Sequence, residues 1–416
     1  MKDQWIGVLD CNNFFVSCER LFRPDLKDKP VVVLSSNDGC VVARSQEIKD
    51  INVPMGVPYF QIKDILKNAD ATVFSSHFAL YRDVSRRVFS VMRDVLDDVE
   101  QYSVDEAFFK IDDNPLESAR GLKEIVEQRV GIPVSIGVSS TKTLAKFANG
   151  IAKKGTGVAV LDRDSWLKKA PRAPLASIWG VGGKSEMHYK KAGLLTAADL
   201  IELDSDRVRA LFGVVGSRLQ AELSGRPVYG KETRLEPQKS VMSSRSFAES
   251  VDDVQVLKDA ISYHLRHAAA DIRAMKSLAT RMRISIQPGR HSDFFLHGKT
   301  KELVLTTPSN DTISLLKIAE ETVDELYEEG VPYKKAGVVL SGLVPAGAGQ
   351  QSLFTEGSTD QENPLLQVVD SLNGQSGQEL ILIGSRLKTK KWQTRRESRS
   401  PAYTTNWRDV ATVKAK

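Results

Sequence analysis

Cysteine is scarce in this chain: Cys11, Cys18 and Cys40 are the three among 416 residues. Three thiols make neither a disulfide framework nor a zinc knuckle, and a reducing compartment is the simplest setting for them. No apolar run reaches the roughly 20 residues that span a bilayer. A signal peptide is also missing, since Met1-Lys2-Asp3-Gln4-Trp5 runs directly into a predicted strand. These absences predict a cytoplasmic protein with no membrane partner. Charge of neither sign dominates: 58 Lys and Arg stand against 53 Asp and Glu, for a formal net charge of +5. The resulting pI of about 8.9 permits a polyanionic partner without demanding one. Hydrophobic content of 41% and charged content of 27% are those of a folded chain, long enough for several domains.

Against that ordinary background, two acidic clusters stand out. Asp10 ends the apolar run Trp5-Ile6-Gly7-Val8-Leu9 and precedes Cys11-Asn12-Asn13-Phe14-Phe15. Asp105-Glu106 sits inside Tyr102-Ser103-Val104-Asp105-Glu106-Ala107-Phe108-Phe109. Both runs read as strands that end or pass beside a carboxylate. Unpartnered buried carboxylates are costly, so adjacent strands would bring the three acids together only around cations. Hard oxygen ligands point to magnesium or manganese rather than zinc, and such a site suits phosphoryl chemistry. For Asp10 alone, capping of the following helix is the simpler reading. Asp105 with Ser103 would equally fit a turn.

Hydrophobic periodicity orders the rest. Strands are predicted at 5–10, 30–34, 40–43, 99–103, 107–111, 134–139 and 158–161. Helices are predicted at 12–22, 45–51, 81–95, 117–130 and 141–153. This mixture predicts an α+β domain with one sheet and helices on one face, interrupted by an insertion at 31–75. Residues 174–230 read as helical, and 231–240 as an exposed linker. A second α+β unit follows: strands at 241–247, 280–287, 302–306 and 334–341, with helices at 254–273 and 312–329. Residues 362–416 are weakly patterned and end basic.

Four further features bear on chemistry. Lys142, Lys146, Lys153 and Lys154 form a cationic helix beside the proposed acids, suited to a triphosphate, although lysine runs are often plain surface. Ile178-Trp179-Gly180-Val181-Gly182-Gly183-Lys184 fits a helix-hairpin-helix, whose turn around Gly180 and Gly182 offers backbone N–H groups to a DNA phosphate. Lys184 adds charge there. Arg245, Arg281 and Arg283 lie in the second unit, the last two sharing one strand face, and suit phosphate-backbone contact. Gln350-Gln351-Ser352-Leu353-Phe354 presents a Leu-Phe pair in a loop-like tract, which invites docking into an apolar pocket.

These segments together resemble the Y-family lesion-bypass DNA polymerases, in particular the bacterial UmuC-like branch that supplies the catalytic subunit of polymerase V. The likeness is carried by Asp10-Cys11-Asn12-Asn13-Phe14-Phe15-Val16-Ser17-Cys18-Glu19, Phe22-Arg23-Pro24-Asp25-Leu26, Asn37-Asp38-Gly39-Cys40-Val41 and Tyr102-Ser103-Val104-Asp105-Glu106-Ala107-Phe108. Lys335-Ala336-Gly337-Val338 and Ser400-Pro401-Ala402-Tyr403-Thr404-Thr405 add to it. The resemblance implies a multidomain α+β right hand: palm 1–30 and 76–165, fingers 31–75, thumb 166–230, linker 231–240, little finger 241–345 and tail 346–416. It implies that Asp10, Asp105 and Glu106, with the Cys11 carbonyl, hold two magnesium ions. Phe15 matches the steric gate that excludes a 2′-hydroxyl, where that branch often has tyrosine. Lys153 matches a triphosphate ligand. Gln46 and Lys49 stand where many members place a tyrosine and an arginine, and Cys40 and Val42 where small residues cover the nascent base pair. Gln350, Leu353 and Phe354 match a sliding-clamp motif. Primer-template DNA, dNTPs, the clamp, a UmuD-like dimer and RecA are the implied partners. No second carboxylate constellation suggests a proofreading nuclease.

Two other readings compete. A nucleotide cyclase shares a palm-like sheet with paired metal carboxylates, but needs neither the helix-hairpin-helix nor a basic second unit. A non-catalytic DNA-binding subunit would act through the clamp motif, and the three intact acids argue against it.

Overall fold

The computed structural model describes residues 5–230, 237–290, 292–346, 364–376, 380–383, 392 and 395–410. It divides into two compact units, one drawn from 1–35, 39–234 and 398–416, the other from 36–38 and 235–397.

The first unit opens with β1 (Trp5–Cys11), α1 (Phe14–Phe22), β2 (Val31–Leu34), β3 (Val41–Arg44), α2 (Gln46–Asp50), α3 (Tyr59–Asn68) and β4 (Thr72–Ser75). It continues with α4 (Phe78–Val95), β5 (Val99–Gln101), β6 (Glu106–Ile111), α5 (Pro115–Val130), β7 (Val134–Ser139), α6 (Lys142–Ala152) and β8 (Val158–Val160). Helices α7 (Arg163–Lys169), α8 (Gly183–Lys191), α9 (Ala197–Glu202) and α10 (Ser205–Leu223) complete it.

The main sheet has the order β5-β6-β1-β7-β8 and is antiparallel except where β7 meets β8. Side chains alternate along β1. Leu9 and Cys11 turn to one face with Ala107, Phe109, Ile136 and Val138, and α4 and α5 bury that face. Val8 turns to the other with Phe108, against Ala145 of α6. The helices therefore cover both faces, not one as the periodicity suggests. Gly137 is the reason. A Cβ there would lie 2.1 Å from the Asn149 backbone nitrogen, so its absence lets α6 press directly onto β7.

Residues 31–75 build a second small sheet, β3-β2-β4, with its own core of Val32, Leu34, Val41, Ile48, Ile62 and Leu66. The structure adds β4 to the strands read from sequence. Four residues carry no detectable period, and parallel pairing with β2 makes the strand. Helices α7 to α10 enclose Trp166, Leu200, Val208 and Leu219.

The second unit holds β9 (Ser240–Val251), α11 (Val254–Ala274), β10 (Ser277–Pro288), β11 (Lys299–Ser309), α12 (Thr312–Leu326), β12 (Tyr333–Ser341), β13 (Val344–Pro345) and α13 (Pro364–Ser376). Its sheet runs β11-β10-β12-β9, antiparallel throughout. Met282, Ile284 and Ile286 face α11 and α12 in one core. Trp392, from the weakly patterned tail, is buried in that core and donates its indole N–H to Asp259 at 2.7 Å. Among the described residues no helix is long and apolar enough to cross a membrane.

His264 on α11 is 1% exposed, with Nδ1 2.8 Å from the Ser243 hydroxyl. Burial, then Arg245 and His267, push its pKa down to about 3. The folded state thus refuses a proton that the unfolded chain accepts below its ordinary value of 6.5. Stability is full above that value and falls as pH drops toward 3, by about 2 kcal/mol at pH 5. Hydrogen exchange across Val254–Ala274 at pH 7.5 and 5 measures it. The difference between the two pH values should shrink in His264→Gln, and an equal difference in both proteins refutes the account.

Candidate active site

Register places the first acids. In the β1–β6 ladder Asp10 lies directly opposite Glu106, with Leu9 opposite Ala107 and Val8 opposite Phe108. Since Leu9 and Ala107 go to the α4–α5 core, Asp10 and Glu106 share the face beneath α6. Like charges at a directly opposed pair destabilise a sheet unless countered. Here α6 and its C-cap counter them: Lys153 Nζ is 2.7 Å from Asp10 and Lys146 Nζ is 2.5 Å from Glu106. Burial, then the hydrogen bond with Glu106, push the Asp10 carboxyl up to about 7, while Lys153 opposes the shift. Against the cost of its own burial, hydrogen bonds from Asp10 and Lys146 hold Glu106 below the usual carboxylate range.

Asp105 occupies the turn between β5 and β6. Its carbonyl accepts the Cys11 N–H at 2.9 Å, which ties the second acidic cluster to the first. Ser103 Oγ donates to Asp105 Oδ1 at 2.6 Å and accepts the Asp105 N–H at 3.2 Å. The turn reading of Ser103 and Asp105 thus holds together with the strand-end reading. Asp10 does not cap α1, whose N-cap is Asn13 in the left-handed region at φ 47°. Each carboxylate is turned to its own partner, and among the described residues no three acidic, histidine or cysteine side chains form a ready-made cation cage. The Cys11 thiol is buried, and burial raises its pKa well above the ordinary value, so it offers no thiolate.

Around the acids, Phe15 of α1 stacks on Tyr81 of α4 at 4.4 Å and 14°, with Phe78 edge-on at 5.8 Å. Lys49 of α2 donates to Asn13 Oδ1 at 2.6 Å. Burial, then Arg44 and Lys153, lower its pKa. Gln46 is exposed and bonded at 2.7 Å to Asp50 of its own helix. Cys40 is half-buried and bridges Pro58 through the backbone, and Val42 is half-buried against the sheet core.

Gly180 has φ 89° and Gly182 is the N-cap of α8, so both glycines shape the turn before that helix, where Lys184 is exposed. The same turn carries Trp179, which meets Tyr102 at 5.5 Å, Phe108 at 5.8 Å and Tyr229 at 5.7 Å. Trp179 thus buttresses the Asp105 turn, a role no local motif announces. In the second unit the arginines are engaged. Arg245 lies over the rings of Tyr263 at 5.1 Å and Trp392 at 5.9 Å. Arg281 and Arg283 share the expected strand face but both pair with Glu302, Arg281 at 3.4 Å. Gln350, Leu353 and Phe354 lie outside the described residues.

Comparison with known proteins bears on what this arrangement does. The impB/mucB/samB family model matches residues 9–150, the C-terminal domain of that family matches 238–353, and a domain of unknown function, DUF4113, matches 363–413. Protein SamB of Salmonella typhimurium is 34% identical over 98% of this chain and 99% of its own. Protein UmuC of the same species is 33% identical over 98% of this chain and 100% of its own. Among solved structures, the Y-family DNA polymerase chimera Dbh-Dpo4(243-245)-Dbh superposes with a TM-score of 0.66 at 19% identity. It covers 82% of this chain and 99% of the chimera, a likeness of fold.

Proposed function

From the premise that the chain belongs to the impB/mucB/samB family of Y-family translesion DNA polymerases, we propose that Asp10, Asp105 and Glu106 form its catalytic centre. The protein is a DNA-directed DNA polymerase, a metal-dependent nucleotidyltransferase that carries out template-directed, error-prone synthesis across damaged bases. One observation carries the residue assignment: Asp10 opposes Glu106 across β1 and β6, while Cys11 holds the backbone of Asp105 beside them. The donors are carboxylate oxygens with no available thiolate, which suits magnesium. Two opposed acids compensated only by lysines form a site that a dication would relieve. Asp10, Asp105, Glu106 and the Cys11 carbonyl would hold two magnesium ions. When bound, these supply the Lewis acidity that activates the primer 3′-hydroxyl and stabilises departing pyrophosphate.

The remaining work falls to the side chains. Lys153 and Lys49 present positive charge to the triphosphate, Lys153 leaving Asp10 as it does so. Phe15, backed by Tyr81, closes the space beside the sugar C2′. Cys40 and Val42 cover the base pair with little bulk, which leaves room for a distorted template base. Gln46, engaged with Asp50, contributes least. The palm comprises 1–30 and 76–165, the fingers 31–75, the thumb 166–230 with its DNA-facing Gly180, Gly182 and Lys184, and the little finger 241–345. Arg245, Arg281 and Arg283 contribute sequence-independent backbone affinity, moderated by the partners they already have. The sliding clamp, through Gln350, Leu353 and Phe354, a UmuD-like dimer and RecA complete the assembly.

Extension of a primed template containing an abasic site, with and without a UmuD-like dimer and RecA, tests this reading. Elongation with dNTPs and magnesium is expected. A cyclic product from one NTP, or no extension with all partners present, rejects it. Phe15→Ala should raise incorporation of a matched rNTP relative to dNTP by about tenfold or more, measured as the ratio of kcat/KM values.

A further inference from the structure

Lys146 of α6 ends among three aromatic rings. Its Nζ lies 5.1 Å from the ring centroid of Tyr102, 5.9 Å from that of Trp179 and 6.0 Å from that of Phe108. The rings come from three places in the chain. Tyr102 follows β5 and begins the turn that carries Asp105, Phe108 is in β6, and Trp179 stands in the turn before α8. They meet one another at 5.5 to 5.8 Å and at 52 to 83°, so they form walls rather than a stack. The same ammonium is 2.5 Å from Glu106 Oε1. On leaving, it would lose a charge-assisted bond and several cation–π contacts together.

The other two lysines on this face behave differently. The Lys153 side chain is 42% exposed, against 14% for Lys146, so Lys153 can swing from Asp10 toward a triphosphate while Lys146 is held. Lys142 lies one helical turn before Lys146 and is committed elsewhere. Its Nζ is 2.7 and 2.6 Å from the two Glu100 oxygens and 2.9 Å from the Gly230 carbonyl. Glu106 therefore carries a resident cation on Oε1 that neither neighbour replaces, and Oε2 is the oxygen it can offer an incoming ion.

We propose that Lys146 is a positioning residue of the cation site: it keeps its bond to Glu106 when a divalent ion binds, limits Glu106 to one coordinating oxygen, and holds down the affinity of the nucleotide-free enzyme for divalent cations. The proposal rests on the reading of Asp10, Asp105 and Glu106 as the metal carboxylates. Coulomb's law sets its sign, since a fixed positive charge beside a cation site opposes the cation. A site damped in this way fills when the triphosphate brings its own oxygens. That suits magnesium, which is held by one or two carboxylates together with substrate phosphates rather than by an all-protein cage.

The test titrates the full-length chain, without DNA or nucleotide, with manganese and follows the free ion by electron paramagnetic resonance. Lys146→Met keeps an unbranched stem between the rings and removes the charge, and should lower the manganese Kd by about tenfold. Lys146→Arg keeps the charge and should stay within about twofold of the parent. Lys146→Gln should match Lys146→Met and carries the test if that variant does not fold. If Lys146 serves the triphosphate instead, the neutral variants bind manganese as the parent does and raise KM for a dNTP in primer extension, which overturns the proposal. Weaker manganese binding in the neutral variants marks a purely structural role and overturns it too. Glu106→Gln separates the proposal from the reading beneath it. If Glu106→Gln weakens manganese binding but the neutral Lys146 variants do not tighten it, the carboxylate site stands and the role of Lys146 is refuted. If Glu106→Gln leaves binding unchanged, the carboxylates are not the cation site and both fall.

Discussion

Asp105→Asn should reduce dNTP incorporation on the order of 10³-fold or more, because it removes one formal charge from the proposed cation site. The fold should survive. Asp105 Oδ1 accepts from Ser103 Oγ, and its backbone carbonyl accepts from Cys11 N–H. An asparagine side chain retains an oxygen acceptor, and the backbone bond does not depend on the side chain. The melting temperature should therefore stay within about 2 °C of the parent, since the change removes no buried apolar contact. Single-turnover extension alongside thermal unfolding reads both quantities. Retained turnover in a folded variant would remove Asp105 from the centre.

Gly137→Ala should have the largest effect on stability. The added Cβ would meet the Asn149 nitrogen at 2.1 Å, the Ala145 carbonyl oxygen at 2.3 Å and the Asn149 Cα at 2.6 Å. All three are backbone atoms of α6, so no side chain can swing away and the helix must lift from β7. Lifting breaks the Asn149 side-chain bond to the Ser135 carbonyl, 2.7 Å, and draws Lys146 and Lys153 away from Glu106 and Asp10. Overpacking with a lost buried hydrogen bond costs about 4 kcal/mol, or about 10 °C in melting temperature for a unit of this size. Gly150→Ala is the control. It lies on the same helix with nothing within 4 Å of its built Cβ, and should be neutral or stabilising by up to about 1 kcal/mol. Similar melting for the two variants would show that β7 and α6 are not held at this distance.

Local pattern revealed much of the fold. The alternation Ile6, Val8 against Leu9, Cys11 announces β1, and the spacing of Val84, Val88 and Met92 announces α4, because period and burial coincide along a single element. Other features left no local trace. Strand β4 exists through its partner β2. Arg281 and Arg283 read as free phosphate contacts until the β10–β11 register sets Arg283 opposite Glu302. The tail looked unpatterned because its buried residues belong to cores made elsewhere: Trp392 joins the core of the second unit beside Asp259 of α11, and Ser400 bonds to His77 at the start of α4.

The sequence by itself determined which residues are acidic, which runs alternate and which resemblance they carry, since these depend on residue type and spacing along one segment. Tertiary structure alone decided which acid faces which, that α6 supplies the compensating lysines from the sheet's second face, and that the far C-terminus pairs with the end of β4 and stacks on α1. The physical reason is that charge compensation and hydrogen-bond direction act over a few ångströms of space, and the groups they join here lie up to hundreds of residues apart in the chain.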